Sequence, residues 1–191
     1  MFLAKASTLV LALTLGGLIA QSPATTPAVP ENFTATAQVA AAASTISAAV
    51  KVRIDRYIVD YAEDAIRNGL KHGGYSGFLT ALRAAPAVGT VTVGDQSFTL
   101  RWATQEATPG GRRIVVITDK PIAFVGGAAA KGAKPRAGYE VALIRFEIDK
   151  QGQGQGEMAA AARVRPGGDT GVQIDDYAET MIKLTKVTKG N

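Results

Sequence analysis

The sequence contains no cysteine and a single histidine. Disulfide bonds, thiol catalysis and cysteine-ligated metal or iron–sulfur sites are therefore excluded, and so is a metal site that needs several histidines of one chain. The chain also lacks blocks of like charge, because 21 Lys and Arg and 16 Asp and Glu are spread along 191 residues and leave a net charge of +5. This excess favours anionic partners only weakly, and we expect no nucleic-acid partner.

The first twenty residues have the pattern of a secretory signal peptide. Lys5 gives a short positive start, and residues 9–19 form an almost unbroken apolar run. Ala20 and Ala24 are the candidates for the residue before the cleavage point, and we favour Ala20. A membrane span needs about 20 apolar residues, which no segment supplies. We therefore predict a signal peptide over residues 1–20, export through the Sec pathway, and a periplasmic or secreted chain without a transmembrane segment.

The mature chain is predicted to be one domain preceded by a linker. Residues 21–31 contain three prolines among small and polar residues, which is typical of an extended linker. Residues 32–191 are enough for a single domain with a sizeable core but too few for two large domains. Without disulfides, this core alone must stabilise an exported protein.

Most of this domain is predicted to be β-strand. Ile144, Phe146 and Ile148 alternate with charged residues, which indicates a strand with one buried face. Helical periodicity is confined to the region near residues 60–85, where a Gly-Gly pair predicts a small helical hairpin. The fold is therefore predicted to be mainly β (α+β), an antiparallel β-sandwich or barrel of about ten strands with the hairpin packed on it. The predicted strands are residues 33–43, 46–57, 87–93, 97–104, 112–118, 121–125, 139–149, 157–165, 172–175 and 180–188.

The tripeptide Asp169-Thr170-Gly171 matches the short signature of aspartic proteases. In that family two such aspartates share one proton, so a chain with one copy would have to dimerise. Apolar strand residues precede the aspartate in the family, whereas Pro166 and two glycines precede it here. We therefore favour a hairpin turn at this position.

Three aspartates near the C-terminus are candidate metal ligands. Asp169, Asp175 and Asp176 provide carboxylate oxygens that suit calcium, a hard cation. The spacing of an EF-hand is not met, and the alternative interpretation is a solvated turn between strands. No other cofactor is indicated.

The candidate binding residues are basic and aromatic. Lys131, Lys134 and Arg136 lie in a glycine- and alanine-rich loop, where they could approach a phosphate or an anionic polymer. They lack the Gly-Lys-Ser/Thr ending of a P-loop, and the alternative is a loop that only keeps the protein soluble. Trp102 is a candidate for lining a ligand cavity, with core filling as the favoured alternative.

Two segments resemble a known group of proteins. Residues 74–83 and residues 158–172, which include the sequence Pro-Gly-Gly-Asp-Thr-Gly-Val, are similar to a group of exported bacterial β-rich proteins of unknown function. The resemblance implies export and one intact domain. It implies no activity and no catalytic residues.

Three classes of function follow from these observations. The leading hypothesis is an exported, non-catalytic β-domain that binds a small ligand, a polymer or an envelope partner. The first alternative is a protein-interaction or structural module of the envelope. The second is a carboxylate-dependent hydrolase, which requires two Asp or Glu side chains converging in a cleft. A serine hydrolase is not expected, because no Gly-x-Ser-x-Gly motif accompanies the single imidazole, His72. The ligand, the partner and the oligomeric state are left open.

Overall fold

The structure, a computed structural model, describes residues 29–41, 44–122, 136–168, 171–178 and 181–190. These residues form one helical element and nine strands. The elements are β1 (Glu31–Ala41), β2 (Ser44–Ile54), α1 (Asp60–Ala84), β3 (Gly89–Val93), β4 (Gln96–Thr108), β5 (Gly111–Thr118), β6 (Val141–Asp149), β7 (Gln153–Pro166), β8 (Val172–Tyr177) and β9 (Ile182–Lys189).

Eight of the strands form a closed antiparallel barrel. Neighbouring strands follow the chain from β1 to β7, and β9 then joins β7 to β1. The ninth strand, β8, pairs with the last residues of β7. The prediction of a mainly β fold with a small helical hairpin is confirmed, and the sheet closes into a barrel rather than forming a sandwich.

The number of strands differs slightly from the prediction of about ten. The short strand predicted at 121–125 does not begin at Pro121 or Ile122, which belong to no strand. Instead, the backbone N–H of Ile122 donates a single hydrogen bond of 2.8 Å to the carbonyl oxygen of Ala160. The rest of that predicted strand lies outside the described residues.

The barrel interior is filled by alternate side chains of its strands. On β6, Ile144, Phe146 and Ile148 are buried, while the charged residues between them are exposed, so the predicted inward face is confirmed. The ring of Phe146 lies 5.0 Å from that of Phe33, measured between centroids. Other fully buried interior residues include Ile54, Leu100, Ile114 and Met158.

A second apolar core lies between α1 and the outer wall of the barrel. The outward-facing residues Val115, Leu143 and Ala159 pack there with the buried face of α1. The helical residues of this core, together with the residue after the helix, are Ala62, Ile66, Leu70, Phe78, Leu82 and Ala85. One sector of the wall is thus buried on both faces, which explains why β5 carries the continuous apolar sequence Ile-Val-Val-Ile.

The element α1 is a helical hairpin. Gly74 has φ 59° and ψ −154°, which breaks the helix in two. A Cβ atom added at Gly69 would lie 2.7 Å from the carbonyl oxygen of Gly77, so the two halves fold back and meet where neither residue has a side chain. The hairpin predicted near residues 60–85 is present.

The last residues of β7 pair with β8 to form a two-stranded ribbon, which lies on α1. Beyond Ala162, β7 pairs with β8 and no longer with β6. Val164 and Val172 of the ribbon are buried in the second apolar core, between α1 and the barrel wall. At its tip Gly171 has φ 74°, and an added Cβ there would lie 2.9 Å from the Nε of Arg67 on α1. The ribbon is therefore seated directly on the helical hairpin.

Replacing Phe146 with alanine tests the interior core. We expect Phe146→Ala to lower the free energy of unfolding by about 3–5 kcal/mol, because a buried aromatic ring is lost and a cavity remains. Glu147→Ala is the matched control, since Glu147 is the next residue and its side chain is 54% exposed; we expect a loss below about 1 kcal/mol. Urea denaturation measures both, and equal losses would contradict the assignment of faces.

Replacing Gly171 with alanine tests the contact between the ribbon and α1. We expect Gly171→Ala to lower the free energy of unfolding by about 1–3 kcal/mol, because alanine is strained at positive φ and its Cβ meets Arg67. Gly73→Ala is the control, because a Cβ at Gly73 would meet no atom within 4 Å and alanine favours a helix. Thermal denaturation compares them, and an unchanged Gly171→Ala variant would contradict this packing.

Candidate binding surface

A buried ion cluster fills one end of the barrel. Glu31 is 1% exposed, and its carboxylate accepts hydrogen bonds from three side chains. Arg112 donates at 2.7 and 3.0 Å, the Tyr57 hydroxyl at 2.5 Å and the Lys189 ammonium at 2.8 Å. Arg112 also donates to the side-chain oxygen of Gln105 at 2.7 Å. We call these five residues the Glu31 cluster.

The Glu31 cluster is ionised and internally satisfied. Burial alone would raise the pKa of Glu31, but the hydrogen bonds from Arg112, Lys189 and Tyr57 outweigh it and lower the pKa from 4.5 to about 2. Burial and the adjacent carboxylate raise the pKa of Tyr57, which keeps its hydroxyl protonated as a donor. A carboxylate held in this way is a poor proton acceptor, so the cluster has the chemistry of a structural clamp.

The sequence contained no signal for this cluster. Glu31 falls in the predicted linker, but it is the first residue of β1 and pairs with Ile54 of β2. Its other partners lie 26, 81 and 158 positions away in the sequence, at Tyr57, Arg112 and Lys189. Only the closure of the barrel brings these residues together.

Two of the three predicted metal ligands are engaged in ion pairs. Asp175 accepts from Arg163 at 3.0 Å and lies 3.6 Å from the Nε of Arg165. The carboxylate of Asp176 accepts a hydrogen bond from the Tyr139 hydroxyl, which with the backbone N–H of Tyr177 lowers its pKa. Within the described residues no group of three acidic or histidine side chains is arranged to hold a metal ion.

One predicted basic residue, Arg136, joins Asp176 in the network around Tyr139. The guanidinium of Arg136 lies over the Tyr139 ring at 4.7 Å, and that of Arg163 lies 5.6 Å from the same ring. Arg136 and Asp176, which the sequence assigned to separate anion and metal sites, therefore meet at one tyrosine. Lys131, Lys134 and Asp169 lie outside the described residues.

Trp102 lies in the core. It is fully buried between the barrel wall and α1, and its indole N–H donates to the hydroxyl of Thr104 at 3.2 Å. This position corresponds to the core-filling interpretation, since the side chain reaches no surface. His72 is exposed near the break in the helical hairpin.

The residues around the Asp169-Thr170-Gly171 motif form a hairpin connection. The N–H of Gly167 donates to the carbonyl oxygen of Gly171 at 3.3 Å, and Pro166 pairs with Val172 where β8 begins. These flanks have the geometry of the predicted turn, not of the apolar strand that leads into a protease aspartate.

A groove lies on the outer wall of the barrel beside β8. Its volume is about 210 Å³. The buried side chains of Val115, Leu143 and Val172 provide apolar surface, and Arg113 and Arg145 lie among its lining residues. We call this cavity the ribbon groove. It combines an apolar floor with guanidinium groups.

Acidic neighbours hold both guanidinium groups in place. Arg113 donates to Glu147 at 2.8 Å, and Arg145 donates to Glu157 at 2.5 Å. These pairs also line an adjoining depression of about 310 Å³, so they lie between two concave surfaces. Arg145, which is fixed by one carboxylate, keeps further N–H donors for a second anion, whereas Arg113 is also paired with Glu106 at 3.4 Å.

A third depression, of about 290 Å³, lies between α1 and β4. Glu63 and Glu106 are among its lining residues, and Glu63 is paired with Arg67. Burial raises the pKa of Glu63. Two carboxylates in one cleft are what a carboxylate mechanism requires, so this depression bears on the hydrolase alternative.

Comparison with known protein families, with curated proteins and with solved structures finds no match to the chain. In the part of the chain that the structure describes, no helix has the length and apolar character needed to cross a membrane.

The pH dependence of stability tests the Glu31 cluster. A carboxyl group whose pKa is lowered by folding stabilises the fold above its unfolded pKa, and this contribution disappears as the pH falls from 4.5 to about 2. We expect Glu31→Gln to cost about 3 kcal/mol near neutral pH, and the difference from the unmodified protein to shrink over that window.

Urea denaturation at a series of pH values measures this difference. The control is Glu106→Gln, whose side chain is 44% exposed and whose carboxylate lies 3.4 Å from Arg113; its cost should stay below about 1 kcal/mol at every pH. A cost for Glu31→Gln that does not change with pH would contradict the ionised clamp.

Proposed function

We propose that this protein is an exported, non-catalytic binding domain whose ligand site is the ribbon groove. The ligand class that fits is a small molecule with an apolar body and an anionic end. The observation that carries the proposal is the apolar floor of Val115, Leu143 and Val172 beside the guanidinium groups of Arg113 and Arg145. Concave sites with apolar walls and a few polar groups are the usual form of small-ligand sites.

The filled interior supports a site on the outside. The barrel holds buried side chains such as Phe33, Ile114, Phe146 and Met158 along its interior. The Glu31 cluster occupies one end of it. A ligand inside would have to displace this core, at a cost of several kcal/mol.

Arg145 is the residue we expect to contact the anionic end. Within the described residues its contact is the single hydrogen bond to Glu157, and its side chain is 52% exposed. The remaining N–H donors are therefore open to a carboxylate or phosphate, which guanidinium binds in a two-pronged geometry. Gln173 and Ile174 of β8 form the opposite side of the groove.

An interaction module of the envelope is the alternative that the ribbon favours. β8 pairs along one edge with β7, and no strand of the described chain pairs with its other edge. An extended segment of a partner protein could add there by strand pairing. The charged pair Asp175 and Asp176 on this short strand limits indiscriminate association.

A carboxylate-dependent hydrolase is the further alternative. Its support is the depression between α1 and β4, where Glu63 and Glu106 are both lining residues. This alternative predicts that the protein turns over a substrate and that Glu63→Gln abolishes the turnover. Without such turnover the cleft is a surface feature next to an ion pair.

Native mass spectrometry of the protein from the exported fraction of its own host tests the proposal. We expect the mass of a chain that begins after Ala20, plus a ligand mass that is lost on denaturation. Arg145→Gln should weaken ligand binding about tenfold or more and so lower the ligand-bound fraction, because a charge-assisted hydrogen bond is worth about 1.5–3 kcal/mol.

The matched control is Arg83→Gln, which removes an exposed arginine of α1 that is not among the residues lining the groove. It should leave the bound fraction unchanged. A bare chain mass would contradict the ligand site and favour the interaction module, and a retained leader would contradict export.

A further inference from the structure

The outer wall of the barrel opposite the helical hairpin has an unusual composition. It is formed by the outward-facing side chains of β9, β1, β2, β3 and the first half of β4, and we call it the threonine face. One row crosses five strands without interruption, through Thr188, Thr34, Lys51, Thr92 and Ser97. The adjacent row contains Asn32, Arg53, Thr90 and Thr99. Neither row contains a carboxylate, an aromatic ring or a long aliphatic side chain.

The charge of this face is positive. Arg53 is paired with Asp55 at 2.7 Å, whereas Lys51 and Lys186 have no ion-pair partner within the described chain. Asp95 lies at the tip of the β3–β4 hairpin, at the border of the face. On the opposite wall, by contrast, arginines are matched by neighbouring carboxylates.

A β-bulge directs Lys186 to this surface. Thr34 pairs with Thr188 but Thr36 pairs with Thr185, so β9 has one more residue than β1 between these pairs. Lys186 takes φ 51°, the left-handed region that a lysine seldom adopts. As a result Lys186 is exposed and Val187 is buried. Bulges commonly re-aim a side chain in this way.

We propose that the threonine face binds an acidic polysaccharide. Hydroxyl and amide side chains exchange hydrogen bonds with sugar hydroxyl groups, and the lysines attract carboxylates spaced along the polymer. The rows repeat once per strand, about every 4.8 Å, which is comparable to the length of one sugar unit in an extended chain. The site is independent of the ribbon groove.

The composition of the face argues against other partners. A membrane surface requires apolar or aromatic side chains that insert, and a stable protein interface requires an apolar centre. Nucleic acid presents a dense row of phosphates and bases that stack on aromatic rings. The two rows contain no apolar or aromatic side chain that could insert into a membrane, no apolar centre and no aromatic ring on which bases could stack. A sparsely charged, hydroxyl-rich polymer matches the composition of the rows.

Each contact of this kind is weak, but a polymer offers many of them. One exposed ion pair changes a binding constant by up to about fivefold. A polymer with repeated sites binds more tightly through its high local concentration of groups. The interaction should therefore be sensitive to salt, because exposed charges are screened.

Affinity electrophoresis of the mature protein in gels containing polygalacturonate tests the proposal, with dextran as the neutral polymer. We expect retardation by polygalacturonate alone, and its loss at high salt. The double variant Lys51→Gln/Lys186→Gln should weaken binding about tenfold. The control Arg163→Gln/Arg165→Gln removes the same charge from the ribbon and should bind as the unmodified protein does.

The remaining outcomes contradict the proposal. Equal weakening by both double variants would indicate attraction by net charge alone, and retardation by dextran would exclude a role for the lysines. Equal or tighter binding to DNA or to vesicles containing anionic phospholipid would assign the face to a different partner. Circular dichroism checks that each variant is folded, and ligand retention in the native mass spectrum reports on the ribbon groove separately.

Discussion

The hydrogen bonds between β6 and β7 close the sheet, and the other features of the structure depend on this closure. Once Val141 pairs with Ala162 and Ile148 with Gly154, each strand has one face inside a sealed core and one face outside. The interior then has room for side chains only, and β7 is so close to β6 that a Cβ at Gly154 would lie 1.7 Å from the carbonyl oxygen of Glu147. Among the described strands, the outer wall is therefore the face that stays open to another molecule.

Closure also explains why a buried carboxylate is tolerated. The ends of distant strands converge on Glu31, so that a guanidinium, an ammonium and a phenol can reach it together. An unpaired carboxylate in that position would cost several kcal/mol. With three partners it instead ties the first strand to the middle and the last strand of the chain, at the end of the barrel where the apolar core stops.

Local patterns in the sequence predicted much of the fold, but not the contacts that closure creates. Alternation predicted the faces of β6, and the Gly-Gly pair predicted the helical hairpin, because both signals are local. The start of β7 was missed, since the predicted strand begins at residue 157, whereas β7 begins at Gln153 and includes Gly154 and Gly156 at the seam with β6. The Glu31 cluster and the ribbon groove depend on residues far apart in sequence, so no local pattern could indicate them. Arg136, Asp175 and Asp176 were recognised as charged candidates, but not as partners within one network around Tyr139.

The outer wall is divided into three sectors with different physical character. Under the helical hairpin the wall is apolar and buried. Around the ribbon, arginines are held by neighbouring carboxylates such as Glu147 and Glu157, which fixes their positions and suits recognition of one ligand geometry. On the threonine face, Lys51 and Lys186 have no such partners among the described residues, and they remain mobile point charges among hydroxyl groups. Fixed guanidinium groups favour a specific small ligand, and mobile ammonium groups favour a long, variable polymer, so the two proposed sites would perform different tasks on one rigid barrel.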